Sequence, residues 1–133
     1  MNKQAAVYAN WLDTQQWDYF STLTYKFDVR SKANRTNMDR MITDIKSKDK
    51  NFNMFWVAEW HRSGTSLHNH LLVKGDITED ISNYWLSNGL GISRYIKHLK
   101  YEKNKGAHFY VSKYLDRDVD YSLYYIREKI RFF

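Results

Sequence analysis

Two histidines separated by one residue offer a metal-binding pair near the middle of the chain. His68-Asn69-His70 lies within Leu67 to Lys74, an apolar-rich stretch that predicts a strand. Because side chains alternate between the two faces of a strand, both imidazoles should point to one face and Asn69 to the other. Two imidazole nitrogens placed in this way can bind the same cation.

A carboxylate is expected beside this pair. Phe52 to His61 predicts a preceding strand, and Arg62 to Ser66 contains the glycine of a short hairpin turn. Antiparallel pairing then brings Glu59 close to the histidines as an oxygen ligand, with His61 on the same face as a substitute. Two nitrogens and a carboxylate suit Mn²⁺ or Mg²⁺. The alternative is a pair of exposed strand histidines beside an ordinary surface glutamate.

A second cluster lies on a predicted helix from His108 to Asp116. Its spacing places Tyr110, Lys113 and Tyr114 on one face, which Arg117 extends. A phenol with an ordinary pKa of about 10 is a poor nucleophile, but a nearby cation and a metal-polarised phosphate make its attack feasible. Lys113 can supply the cation. The alternative is an amphipathic helix rich in tyrosine and lysine that packs on a sheet.

The remaining elements must position these two clusters. Periodicity and turn residues predict a strand at Trp17 to Phe27, a helix at about Asn34 to Ser47, a helix at Thr78 to Ser87 capped by Thr78 or Glu79, a strand at Ile92 to Leu99 and a turn at Lys103 to Gly106. The tail from Tyr121 to Phe133 fits a helix or a strand. This order predicts an α+β fold with an antiparallel ferredoxin-like or RNA-recognition-like sheet, with helices on one face and the metal–tyrosine site on the other.

The composition is that of a basic folded chain. Hydrophobic residues make up 43% and aromatic residues 17% of 133 residues, which predicts a single domain, residues 1–133, with its own core. The net charge of +6 favours a polyanionic partner. The many aromatic rings can stack on unpaired bases, although a tyrosine-rich core would also account for them.

Other features exclude several protein classes. The chain has no cysteine, which excludes disulfides and thiolate metal sites and fits a reducing compartment. No apolar run approaches the roughly 20 residues of a membrane span, and the N-terminal residues lack the apolar core of a signal peptide. We therefore expect a cytoplasmic protein without a membrane partner.

Three motifs taken in order resemble those of a known superfamily. They are Phe20-Ser-Thr-Leu-Thr24 in a strand, Glu59 followed by His68-x-His70 in a hairpin, and Tyr110-x-x-Lys113-Tyr114 in a late helix. This order resembles that of the HUH endonucleases, specifically the rolling-circle replication initiator (Rep) proteins of small viruses, phages and plasmids. The resemblance spans residues 20 to 114, most of the chain.

The resemblance implies a role for each matching residue. His68, His70 and Glu59 correspond to metal ligands for Mn²⁺ or Mg²⁺, and Tyr110 corresponds to the nucleophile. Lys113 corresponds to a lysine that assists at the phosphate or the metal.

Further positions match less strictly. Tyr114 corresponds to a second tyrosine found in some members, and Thr22 and Thr24 fall in a strand that contacts DNA or supports the site. From charge alone, we expect Lys26, Lys97, Lys100 and Arg117 to contact the DNA backbone.

The sequence departs from the family pattern in two respects. The residue between the two histidines is usually hydrophobic, and here it is Asn69, which needs hydrogen-bond partners if it is buried. The helicase domain of eukaryotic viral members is also missing, as it is in compact members from archaeal viruses and phages. Unwinding is then expected to come from a host helicase or to be unnecessary.

The resemblance implies nicking and rejoining of single-stranded origin DNA through a 5′-phosphotyrosine intermediate. The expected location is the cytoplasm of the cell that hosts the virus or plasmid, and the sequence leaves a homodimer open. The alternatives are a transposase or relaxase of the same superfamily and a non-catalytic single-strand-binding module. The lysine three residues after Tyr110, Lys113, favours an initiator, whereas relaxases usually carry three clustered histidines.

Overall fold

A computed structural model describes residues 3–60, 67–103 and 120–125. Its elements in chain order are α1 (Lys3–Asp13), β1 (Tyr19–Thr24), α2 (Ser31–Lys46), β2 (Asn53–Trp60), β3 (Leu67–Lys74), α3 (Thr78–Ser87), a 3₁₀ turn (Ser93–Tyr95), β4 (Ile96–Lys100) and β5 (Asp120–Tyr125). The predicted hairpin turn at 62–66 and the predicted tyrosine helix at 108–116 lie outside the described residues. The predicted turn at 103–106 lies almost wholly outside them as well.

The strands form one open antiparallel sheet in the order β4-β1-β3-β2-β5. This arrangement confirms the predicted α+β class and the predicted order of strands and helices from β1 to β4. Part of the C-terminal tail, which fitted either a helix or a strand, is a strand at the β2 edge of the sheet.

The main core lies between the sheet and the pair of helices α2 and α3. The residues of α2 that recur at helical spacing, Met38, Met41, Ile42 and Ile45, are all buried there. They meet the side chains of β2 and β3 that alternate toward the helices, including Met54, Trp56, Leu71 and Val73. Each such side chain stabilises the folded protein by about 1.5–3 kcal/mol when it is fully buried. This core therefore determines which face of the sheet remains for the site.

The N-terminal helix α1 packs on the other face of the sheet. Leu12 of α1 and Trp17 after it are buried against Phe55, Val57 and Leu72. No helix was predicted in this segment, so α1 adds a helix to the face that was expected to carry only the site. It covers one part of that face and leaves the histidine pair in another.

Some boundaries differ from their predicted positions. The fourth strand begins at Ile96 because Ser93–Tyr95 forms a 3₁₀ turn in place of the predicted start of that strand. The helix α3 has the predicted bounds, but its N-cap residue is Ile77 and no side chain caps it. Gly89, just after this helix, has φ +67°, the left-handed conformation in which helices commonly end.

Two sets of side-chain contacts connect the edge strands to the helices α2 and α3. Arg35 of α2 makes a bidentate ion pair with Asp120, at 2.9 and 2.6 Å, and its guanidinium lies 5.4 Å from the ring centroid of Trp56. At the other edge, the ring of His98 lies between Ser21 Oγ at 2.6 Å and Ser82 Oγ at 2.7 Å, and partial burial lowers the pKa of His98. These contacts anchor β5 to α2, and β4 to β1 and α3.

The asparagine between the two histidines is completely buried beneath α2. The side-chain amides of Asn69 and Asn34 exchange two hydrogen bonds, of 2.8 and 2.9 Å. Tyr25 donates a further bond of 2.6 Å to Asn34 Oδ1, and burial raises the pKa of Tyr25 to about 12 although hydrogen bonds from Asn37 and Asn69 act against this rise. Asn69 therefore has, inside the core, the hydrogen-bond partners that a buried amide requires.

We expect Asn69→Ala to lower the free energy of unfolding by about 1–3 kcal/mol, because it leaves the buried amide of Asn34 without its partner. Urea unfolding followed by circular dichroism measures this loss. The double variant Asn34→Ala/Asn69→Ala should lose less than the sum of the two single variants. Asn83→Ala, which removes an exposed amide, is the control and should stay within about 0.5 kcal/mol of the unmodified protein. Equal unfolding midpoints for Asn69→Ala and Asn83→Ala would contradict this account.

Candidate metal centre

The pairing of β2 with β3 brings Glu59 and the two histidines to one face of the sheet. Glu59 lies directly opposite His68, and Val57 lies opposite His70. Alternation places Leu67 and Asn69 on the face covered by α2 and α3, while His68 and His70 point the other way. The placement that alternation predicted for the three side chains is the one observed.

The three side chains are in direct contact. Glu59 Oε2 lies 3.0 Å from His68 Nε2 and 3.0 Å from His70 Nε2. Their potential ligand atoms all lie within 4.8 Å of one another. The side chains are only 9–18% exposed, so little water competes at the cluster. These are distances from which one ion could reach all three donors, and the cluster could bind a metal ion.

The electrostatics of Glu59 favour its charged form. Burial by itself would raise the pKa of this carboxyl, but hydrogen bonds and charge from His68 and His70 outweigh it and lower the pKa below its ordinary value. An ionised carboxylate is the form that binds a cation.

Contacts around His70 fix the orientation of its ring. Thr22 Oγ1 lies 3.2 Å from Nδ1 of His70, and the Phe20 ring is stacked on the imidazole at 5.7 Å with an interplanar angle of 6°. A partner on Nδ1 leaves Nε2 directed at Glu59, the arrangement that commonly orients a metal-bound histidine. Thr22 therefore contacts the cluster from β1.

A groove of about 760 Å³ adjoins the two histidines. Its wall contains four of the residues predicted to contact DNA: Thr22, Thr24, Lys26 and Lys97. Lys100 is not among the groove residues and lies near Asp18 and Gly75 at the opposite end of the sheet. Because Lys100 is three positions after Lys97 in the same strand, its side chain points to the other face of the sheet.

Other predicted site residues fall outside the described part of the chain. These are Tyr110, Lys113, Tyr114 and Arg117, together with the substitute ligand His61. Their predicted roles therefore stay predictions.

The groove also contains residues that the sequence analysis did not select. Arg94 and Tyr95, in the 3₁₀ turn before β4, both line it. The strand predicted at Ile92 to Leu99 included the residues of this turn, so the turn itself was not predicted. The available signal was a basic residue next to an aromatic one.

Comparison with known proteins gives one match. The model of a family described as replication-associated protein ORF2 matches residues 18–126. No curated protein and no solved structure matches the chain. None of the helices described is both long enough and apolar enough to cross a membrane.

We expect Mn²⁺ to raise the thermal unfolding midpoint, because an ion that binds the folded cluster stabilises the native state. At 100 times its dissociation constant, the gain is about 2.7 kcal/mol. Differential scanning fluorimetry with and without Mn²⁺ measures the shift. The double variant His68→Ala/His70→Ala should lose it, whereas His98→Gln, which alters a histidine outside the cluster, should keep it. An undiminished shift in the double variant would show that the ion binds elsewhere.

Proposed function

The chain belongs to the ORF2 family of replication-associated proteins, and on this premise we propose that it starts rolling-circle replication by nicking single-stranded DNA. The observation that carries the proposal is the contact of Glu59 with both histidines at the end of a groove lined by basic residues. Two imidazoles, a carboxylate and a tyrosine motif later in the chain are the functional groups of an HUH endonuclease, the superfamily that the motifs resemble.

The residues of the cluster would hold a divalent cation. The donor set of two nitrogens and one oxygen fits Mn²⁺ better than Mg²⁺, because Mg²⁺ prefers oxygen ligands and near-ideal octahedral geometry. A bound cation would polarise the scissile phosphate as a Lewis acid. In this proposal Glu59, His68 and His70 fix the cation, and Thr22 and Phe20 keep His70 in its orientation.

The chemical step exchanges one phosphodiester for another. The Tyr110 hydroxyl oxygen attacks phosphorus, the bond from phosphorus to the 3′ oxygen breaks, and the tyrosine proton is transferred in the course of the step to the leaving 3′ oxygen. The products are a 5′-phosphotyrosine and a free 3′-hydroxyl. Lys113 offsets the negative charge that develops at the phosphate. Since the number of ester bonds is unchanged, a 3′-hydroxyl can reverse the step and rejoin the strand without ATP.

The position of β5 supports the use of this tyrosine segment. Asp120, the first residue of β5, lies opposite Ala58, the residue before Glu59. The strand that follows Tyr110 and Tyr114 in the sequence thus begins next to the cluster. The bidentate pair between Arg35 and Asp120 holds this junction.

The decisive experiment incubates the protein with single-stranded origin DNA and Mn²⁺ and resolves the products on a denaturing gel. We expect a single nick that requires the metal. His68→Ala/His70→Ala should reduce nicking to background with an unchanged circular dichroism spectrum, and His98→Gln should nick normally. Binding without cleavage by the unmodified protein would favour a non-catalytic single-strand-binding module. Metal-dependent nicking that persists in the double variant would overturn the metal site.

The two tyrosines can be distinguished by the covalent adduct that they form. Tyr110→Phe removes the oxygen and keeps the ring, so we expect the adduct between protein and DNA to vanish in denaturing electrophoresis. Tyr114→Phe should still form it. The reverse result would reassign the nucleophile within the same enzyme class. An adduct in both single variants that is lost in the double variant would indicate that either tyrosine can attack.

A further inference from the structure

The 3₁₀ turn before β4 places an exposed tyrosine beside the histidine cluster. Tyr95 is 41% exposed and lines the same groove as His68 and His70. A single exposed ring is ordinary on a protein surface. Its position in a groove that also contains Lys26 and Lys97 is what requires an explanation.

Arg94 holds the Tyr95 ring from one side. The guanidinium carbon lies 5.1 Å from the ring centroid, within the range of a cation–π contact. Within the part of the chain that the structure describes, no second ring or cation is paired with Tyr95. Arg94 therefore lies against the ring, and the exposed surface of the ring stays available to a flat partner.

The register of the sheet places Lys97 close to the cluster. Lys97 lies opposite Thr22, and Thr22 lies opposite His70, so the three residues form one row across neighbouring strands. Two strand spacings separate the backbones of Lys97 and His70 by about 10 Å. A phosphate bound by Lys97 would thus be a close neighbour of one held at the cluster.

The charges of the groove favour a polyanion. Lys26, Arg94 and Lys97 line it together with one acidic residue, Asp28. An exposed aromatic ring among cationic side chains is the combination with which proteins bind single-stranded nucleic acid, since bases stack on the ring and phosphates meet the cations. Paired bases in a duplex do not offer their faces in this way.

We infer that Tyr95, supported by Arg94, is a base-stacking subsite for a nucleotide next to the scissile phosphate, and that Lys97 binds the phosphate beside that base. The inference rests on the proposed function and adds to it the residues that select an unpaired strand. Because every base has a flat face, the subsite favours single strands without reading their sequence.

Binding is tested with the full chain, a fluorescein-labelled oligothymidylate and no added divalent metal. Tyr95→Ala should raise the dissociation constant about tenfold, which corresponds to about 1.4 kcal/mol. Tyr95→Phe and Tyr95→Trp keep an aromatic face and should stay within about twofold of the unmodified protein. Tyr125→Ala is the matched control, because Tyr125 is 40% exposed at the opposite edge of the sheet. Thermal midpoints for all variants separate lost stacking from lost folding.

Lysine variants test the phosphate contact. Lys97→Ala should reduce the slope of log K against log salt by about 0.7, the value for one phosphate contact on a single strand. Lys32→Ala removes the same charge from an exposed position of α2 that is not part of the groove, and it should leave the slope unchanged. Equal slopes for the two variants would overturn the assignment of Lys97.

The outcomes separate this inference from the proposed function. Unchanged binding of oligothymidylate by Tyr95→Ala, in a protein that nicks origin DNA, would overturn the subsite alone. Unmodified protein that binds oligothymidylate through Tyr95 but forms no nick would overturn the endonuclease and leave the subsite. An equal loss of affinity for single strand and duplex in Tyr95→Ala would also reject base stacking. So would a failure of the unmodified protein to bind oligothymidylate.

Discussion

The register between β2 and β3 is the constraint on which the site depends. It places Glu59 opposite His68, so that one carboxylate oxygen contacts both imidazoles. A slip of one residue would turn every side chain of β3 to the opposite face. Both histidines would then enter the helix-packed core, and Asn69 would leave it. The same pairing therefore determines both the core and the cluster.

A polar contact within the apolar core reinforces this register. The side-chain amide of Asn69 finds its partners beneath α2, where it exchanges two hydrogen bonds with the amide of Asn34. A leucine at this position would pack in more than one arrangement, whereas a buried amide tolerates few. Asn69 departs from the hydrophobic pattern of the family that the motifs resemble. Its hydrogen bonds thus connect the position of α2 to the position of the histidines.

Local patterns in the sequence were sufficient to predict the elements that carry the cluster. The bounds of β3 and α3 were predicted as they are observed, because an apolar-rich stretch after a glycine-containing turn predicts the strand and helical spacing predicts the helix. The turn at Ser93–Tyr95 was missed since a single 3₁₀ turn has too few residues to show a period. Long-range partners such as Asn34 and Asn69, or Arg35 and Asp120, leave no local signal at all. The tyrosine motif was predicted from its spacing and its order in the chain, and its placement stays a prediction.

The candidate metal-binding cluster and the two residues inferred to bind a nucleotide belong to different strands. All three cluster residues come from the β2–β3 pair, while Tyr95 and Lys97 belong to β4 and to the turn before it. β4 is an edge strand that pairs only with β1 among the described strands. Substitutions there face fewer packing constraints than substitutions in the middle of a sheet. If Tyr95 and Lys97 bind a nucleotide as we infer, substitutions in β4 and in the turn before it would change how the protein holds DNA and would leave Glu59, His68 and His70 as they are.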